Sequence, residues 1–372
     1  MINRAAPGRR SMLGMVLGVA AAGATGRDAW AQLRAPRGNP APLTSAPLTS
    51  RTLDLPTPDL ASPAMMVAGP ADAATGQWAG LLARPLAEAL HPGGKLAVSA
   101  VGGRDGVTGA NAFEALTNPD GSTALLVPGA AAVAWLAGDP RVHFDAGRWV
   151  PALTSLGSAV LLGRTGARPA TLRVAASTPN GVELPALLGL SLLGEAPVPV
   201  FGLSDPDDAH AALLNGRVDA IVLTGLDVPR RAAALSSSKL RPIFSFGADG
   251  AAAIRDPMLA DVPTLPELHR AMFGRAPAGA LFEAWKATAA AARLHAALVL
   301  QPLTPASLVA QWRRACASAV ADPTLASLTR AAEVTPLPAP GCVPSLAAVI
   351  ADQNTLLALR SWIASRTDWR PA

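Results

Sequence analysis

From about residue 64 onward, short apolar runs alternate with longer stretches whose apolar positions recur at helical spacing. Runs at 65–69, 96–101, 124–127, 150–156, 159–163, 172–176, 198–201, 220–223 and 240–246 predict strands. Stretches at 73–90, 106–116, 181–193 and 205–215 predict helices between them. Pro85 inside the first is expected to kink or restart it. Asp205, Asp207 and Asp208 read as the N-cap and first turn of the 205–215 helix, where the dipole favours acids. Beyond 277 the pattern is helical except for a strand at 296–300. Thr304 is the expected N-cap of a helix running from Pro305 to about 321, Asp322-Pro323 starts another, and a last helix spans about 345–365. Short buried strands that alternate with helices imply an α/β fold, with parallel sheets covered on both faces.

The expected architecture is two lobes with the chain crossing between them twice. One lobe holds 64–157 and 277–340, the other 158–276, and 341–372 forms a C-terminal helix and tail. Such a pair leaves a cleft at the carboxyl ends of the strands, where open α/β sheets bind ligands.

Half of the 372 residues are hydrophobic, but only 4% are aromatic and tyrosine is absent, so the core must be built from Ala, Leu and Val. The N-terminus carries a basic head with Arg9-Arg10, an apolar stretch from Met12 to Ala24, and Ala29-Trp30-Ala31. That layout is a cleaved export signal, with cleavage expected after Ala31 and the periplasm as destination. The paired arginines fit the twin-arginine route, and a Sec signal can show the same pair by chance. Residues 1–31 hold Arg4, Arg9, Arg10 and Arg27 against Asp28, which leaves 27 basic and 25 acidic residues and turns the formal +5 into +2. No basic stripe with interleaved aromatics remains, so nucleic acid is not an expected partner. Residues 32–63, rich in Pro, Ser and Thr with Ala-Pro-Leu-Thr-Ser doubled at 41–50, read as an extended tether. Cys316 and Cys342, the only cysteines, lie far from any histidine at ligand spacing, so no metal site is expected. They either pair in an oxidising compartment or never meet.

Several segments, read in order, resemble the Bug-type solute receptors of tripartite tricarboxylate transporters. Gly102-Gly103-Arg104-Asp105-Gly106-Val107-Thr108-Gly109-Ala110 is similar to that family's second glycine-rich loop. Asn118-Pro119-Asp120-Gly121-Ser122-Thr123-Ala124-Leu125-Leu126 resembles its Pro-Asp-Gly turn into a strand. Leu214-Asn215-Gly216-Arg217-Val218-Asp219, Asp261-Val262-Pro263-Thr264 and the 319–325 segment with Asp322-Pro323 resemble three further elements. The resemblance covers about 64–340 and implies a two-lobed periplasmic binding protein fold of type II-like form. In that fold two parallel-rich sheets, flanked by helices, move about a hinge. It also implies a small organic acid as ligand, permease subunits of a tripartite transporter as partners, and a monomer without cofactor.

The resemblance transfers the ligand contacts to loop positions. In the first loop they are Thr75 and Gly76, where Pro70-Ala71-Asp72-Ala73-Ala74-Thr75-Gly76 departs from the family's glycine-rich form. Losing those glycines removes positive-φ freedom, and Asp72 would repel a carboxylate. Gly106, Thr108 and Gly109 follow in the second loop; Ser177, Thr178 and Asn180 in the third; and Thr224 after the strand at 220–223. Helix N-termini at these places would present free N–H groups and positive dipole ends to an anion. The same residue types also make ordinary turns and caps. Arg104 is expected to be a surface charge or the ion-pair partner of Asp105 rather than a ligand clamp, and Trp78, Trp135 and Trp149 to lie in the core.

No nucleophile, base and orienter occur in a known catalytic spacing, and the five histidines (91, 143, 210, 269, 295) are dispersed. A binding receptor rather than an enzyme is therefore expected. Two other readings remain at this point. The altered loops and the tether suit a degenerate member acting through protein contacts, and the twin-arginine pair alone suggests an exported cofactor enzyme.

Overall fold

A computed structural model describes residues 60–371 except 61, 117–119, 165–170, 237–239 and 249–253. The expected export signal and its cleavage point, nearly all of the expected tether, and Asn118-Pro119 lie outside the described residues. The chain begins with β1 (Ala64–Ala68), α1 (Ala74–Leu90), β2 (Ala97–Val101), α2 (Val107–Glu114), β3 (Thr123–Val127), α3 (Gly129–Ala137) and β4 (Val150–Leu156). It continues with β5 (Val160–Arg164), β6 (Leu172–Ala175), α4 (Leu184–Leu192), β7 (Pro197–Val200), α5 (Pro206–Leu214), β8 (Ala220–Leu223), α6 (Val228–Ser236) and β9 (Leu240–Ser245). The remainder is α7 (Leu265–Phe273), α8 (Ala280–Arg293), β10 (Leu294–Leu300), α9 (Ala306–Val320), α10 (Pro323–Ala331), β11 (Thr335–Pro338), α11 (Cys342–Ala347) and α12 (Gln353–Arg366).

Two sheets result, in the orders β11-β4-β10-β3-β1-β2 and β7-β6-β8-β5-β9. Both are mixed. β1 runs parallel to β2 and β3, and β6 parallel to β7 and β8. The antiparallel pairs involve β4, β5, β9, β10 and β11, and of these β4, β5 and β10 stand where the chain passes from one sheet to the other. Gly157 marks the first passage: its N–H donates to Arg293 O at 2.9 Å, and a Cβ there would lie 2.6 Å from Gly225 O.

One apolar cluster joins the two halves. It combines Val133 and Leu136 of α3, Trp285 of α8 and Ile363 of α12 with Leu161, Val174 and Phe244 of the second sheet and Leu188 of α4. Gly189 of α4 permits the approach, because a Cβ would stand 2.8 Å from Phe244 and 3.0 Å from Trp285 Nε1. Helices from the first half therefore cover a face of the second sheet.

The family-like segments do structural work. Asp120 Oδ1 accepts from Ser122 N at 2.8 Å beside Gly121 at φ 77°. Asp219 Oδ2 accepts from Arg173 N and Nε, both at 2.9 Å, and Oδ1 from Nη2 at 2.8 Å, which locks the start of β8 to β6. Thr264 and Glu267 form a capping box on α7, and Pro263 O accepts from Ser245 N at 2.9 Å. Asp205 and Asp322 cap α5 and α10.

Several elements differ from expectation. α1 continues through Pro85, held by a buried stripe of Trp78, Leu82, Leu86 and Leu90 whose packing outweighs one missing backbone bond. Pro305 occupies the N-cap position of α9 with no side-chain cap, while Thr304 Oγ1 turns back to donate to Gln301 O at 2.8 Å. The last predicted helix is two helices, divided where Asp352 accepts from Thr355 N at 2.7 Å. Cys316 and Cys342 are buried free thiols, and Cys342 is the first residue of α11.

Candidate functional site

The loops that follow β1 and β2 are stitched together by Gly69, whose N–H donates to Val101 O at 2.8 Å. The first loop closes when Ala73 N donates to Pro70 O at 3.1 Å, and α1 then begins with no capping side chain and no acid in its first turn. Gln77 N is the first α1 amide bonded back, to Ala73 O, so the amides of Ala74, Thr75 and Gly76 find no acceptor among the described residues. Thr75 is buried at this end. Gly76 is required sterically, since a Cβ would come within 2.5 Å of the carbonyl oxygens of Pro70 and Ala71.

The second loop owes its glycines to close packing. Gly106 is the left-handed N-cap of α2, facing the Pro128 ring at 2.7 Å from a would-be Cβ. Gly109 lets α2 ride on the strand ends, where a Cβ would stand 2.6 Å from Ala68 Cα. Thr108 is exposed, with its side chain lying over Gly102.

Arg104 is the surface charge that one reading expected, but its partner is not Asp105. It reaches back to Asp72 at 3.1 Å and so neutralises the acid of the first loop. Both partners are largely exposed, so the pair itself adds little stability. Asp105 is taken by Arg141 at 2.9 Å, because that guanidinium is held in place by Asp139 at 2.6 Å. Asp139 is buried, and also accepts from Arg141 N at 2.9 Å and from Asn180 Nδ2 at 2.5 Å. Burial opposes its charge, but the hydrogen bonds and charge of Arg141, with the Asn180 amide, outweigh that and hold its pKa below the ordinary value. Through this chain of contacts the second loop of the first half meets the third loop of the other half.

The third loop leaves the end of β6. Ser177 Oγ donates to Glu183 Oε2 at 2.8 Å, passing over Gly181, where a Cβ would stand 2.2 Å from Ser177 Oγ and 2.4 Å from Glu183 Oε2. Burial pushes the Glu183 pKa up, only partly offset by hydrogen bonds that include Ser177. Thr178 is exposed and Asn180 buried. Thr224 is half-buried, and its carbonyl accepts from Arg231 Nη1 at 3.4 Å. Just beyond it, Asp227 N donates to Ala332 O at 2.9 Å, a second bridge between the halves.

Buried polar side chains also stand in the core of the first half. Trp78, one turn after Thr75, meets His295 edge-on with ring centroids 5.6 Å apart. His295 Nε2 and Ser155 Oγ are buried and find no hydrogen-bond partner among the described residues. Burial lowers the His295 pKa to about 4. Of the tryptophans assigned to the core, Trp78 and Trp149 are buried and Trp135 packs half-buried between two apolar clusters.

The first three loops are thus contiguous, and side chains of Asp72, Arg104, Asp105, Arg141, Asp139 and Asn180 knit them together. A hollow of about 300 Å³ lies elsewhere, between α8 and the 347–355 corner, lined by residues that include Glu283, Lys286 and Asp352 and by none of the nine predicted ligand residues. Among the described residues no group of three or more His, Cys, Asp or Glu could hold a metal ion. Sequence reasoning missed Asp139, Arg141 and Glu183. The only local signal was the Gly138-Asp139-Pro140-Arg141 helix exit.

No family model and no curated protein matches the chain. Solved structures do. A TctC solute-binding protein from Polaromonas without ligand matches with a TM-score of 0.57 at 18% identity, over 82% of this chain and 98% of that one. MatC from Rhodopseudomonas palustris with bound malate gives 0.51 at 20% identity, over 82% and 98%. A further R. palustris protein with adipate gives 0.50 at 15% identity, over 82% and 96%. The chain has the fold of these periplasmic binding proteins: two mixed sheets flanked by helices.

Proposed function

We propose that this chain is a periplasmic solute-binding receptor. It captures a small carboxylated metabolite between the lobes 64–157 plus 277–340 and 158–276, and delivers it to permease subunits of a tripartite tricarboxylate-type transporter. The observation that carries the reading is the uncapped start of α1, with three unpaired amides beside buried Thr75, in a fold of which two solved examples hold malate and adipate. Such a helix end is a seat for a carboxylate without any cationic clamp. Gly106, Thr108 and Gly109 flank it, and Ser177, Thr178, Asn180 and Thr224 supply the facing side. Closure of the two halves on the ligand would shift the population toward a closed form. The export signal expected from the N-terminal sequence supports the same reading.

One observation favours a second reading. Side chains already bridge the second and third loops, as in a binding-protein fold that no longer takes up metabolites and works through protein contacts. A thermal-shift screen with malate, adipate and short monocarboxylates separates the two. At about a hundredfold excess over Kd, a bound acid adds about 2.7 kcal/mol, or roughly 5 °C in a chain of this size. No shift with any acid would abandon the receptor in favour of the second reading.

A further inference from the structure

Two helices close on a single carbonyl at the edge of the first sheet. Pro151 O, in β4, accepts from Arg313 Nε at 3.0 Å and from the Cys342 thiol at 3.6 Å. Arg313 belongs to α9 and Cys342 opens α11. β11 pairs with β4 from Leu156 to Leu153, so Pro151 lies just past the end of that pairing. Cys316 follows Arg313 by three positions, which places both on one face of α9. It is buried in the cluster that contains Ala152, the neighbour of Pro151, and Cys342 is buried as well. Burial pushes both thiol pKa values up, and the sulfurs are near enough that the charge of Cys342 raises that of Cys316 further. The only two cysteines of the chain thus converge where α9 and α11 meet β4.

We propose that Cys316 and Cys342 are a disulfide site: under oxidising conditions they join as the chain folds and staple α11 to α9. The proposal goes beyond the receptor reading and does not need it. The thiolate of one cysteine attacks a disulfide carrier such as glutathione disulfide and forms a mixed disulfide, and the other cysteine then displaces the carrier's sulfur. The two protein thiols give up two electrons and two protons, and the carrier takes both as two thiols. Because burial suppresses the thiolate, the exchange precedes the final packing of α9. The bond ties down the segment from α11 onward, whose α12 supplies Leu359 and Ile363 to the cluster that joins the two halves.

Refolding of the full chain tests this. The protein is unfolded and reduced in guanidinium, refolded in buffer with glutathione disulfide, then denatured in maleimide and analysed by mass spectrometry. The expected product carries no maleimide, is lighter by two hydrogens than the reduced chain, and yields a proteolytic fragment joining the Cys316 and Cys342 segments that separates on reduction. Its Tm should exceed that of the reduced chain by about 5 °C, since the closed loop restricts the unfolded state. Cys316→Ala should leave Cys342 open to maleimide and abolish the difference in Tm. Maleimide on both sulfurs, glutathione on both, or pairing found only between chains overturns the site and leaves the receptor standing. A bond that forms without raising Tm overturns the staple. If the variant does not fold, judged by circular dichroism, the fragment and the Tm of the wild type alone decide.

Discussion

The side-chain amide of Asn180 donates to Asp139 Oδ2 at 2.5 Å, joining the loop after β6 to the segment after α3. Asp139 also takes three hydrogen bonds from the Arg141 side chain and one from its backbone, so a buried carboxylate organises contacts from both halves. Replacing it should be costly, because Arg141 and Asn180 would lose their shared acceptor. Asp139→Ala is expected to lower stability by about 2 kcal/mol, read from the midpoint of urea unfolding at unchanged slope. A loss below about 0.5 kcal/mol, the ordinary size of a surface substitution, would mean that this junction holds nothing together.

Glu183 gives a dependence on pH. Its pKa is raised in the folded protein, so the folded chain binds the proton more tightly than the unfolded one. Stability is then greatest in acid and is lost as pH rises through the folded value. Glu183→Gln should therefore raise Tm at pH 8 by more than at pH 4.5. Scanning calorimetry at the two values checks it, and an equal effect at both would contradict the burial argument.

His295 works in the opposite direction. Burial lowers its pKa from 6.5 to about 4, so the folded state holds it neutral. The stability it allows is complete above 6.5 and is lost as pH falls toward 4. His295→Phe, which keeps a ring against Trp78, should flatten the fall in Tm between pH 6.5 and 4. A slope identical to the wild type would show that another group titrates there.

Gly129 opens α3 against the end of α8, where a Cβ would stand 1.9 Å from Ala291 O and 2.5 Å from Leu294 O. Both neighbours are backbone and cannot swing aside. Gly129→Ala is expected to cost about 3 kcal/mol, the upper part of the overpacking range. Chemical denaturation measures this, and a stable, unshifted variant would show that the contact yields.

Much of the fold was legible because its strands are short apolar runs bounded by turn residues. β4 and β8 fall on the residues that the pattern predicted. β11 was invisible because Pro336 and Pro338 read as breakers; it is an edge strand, where prolines are tolerated. α3 is apolar on nearly every side, so it shows no helical period, as befits a helix buried between both halves. In the candidate site, Thr75, Gly106 and Ser177 were accessible to reading, since glycines and hydroxyls at strand ends mark loops. The charge network was not. Arg141 meets Asp105 only after α3 folds back, and Glu183 fills its own loop only because Gly181 leaves room. The Arg104–Asp105 pair, natural for neighbours in sequence, gave way to partners brought in by packing.

The most direct test of the central claim is calorimetric titration of the purified chain with small carboxylates, scored for stoichiometry as well as heat. A receptor of this kind predicts saturable binding of one acid per chain, weakened at least about tenfold, or 1.4 kcal/mol, by Thr75→Val at the start of α1. Titrations that stay flat for every acid, or binding that Thr75→Val leaves untouched, would contradict it.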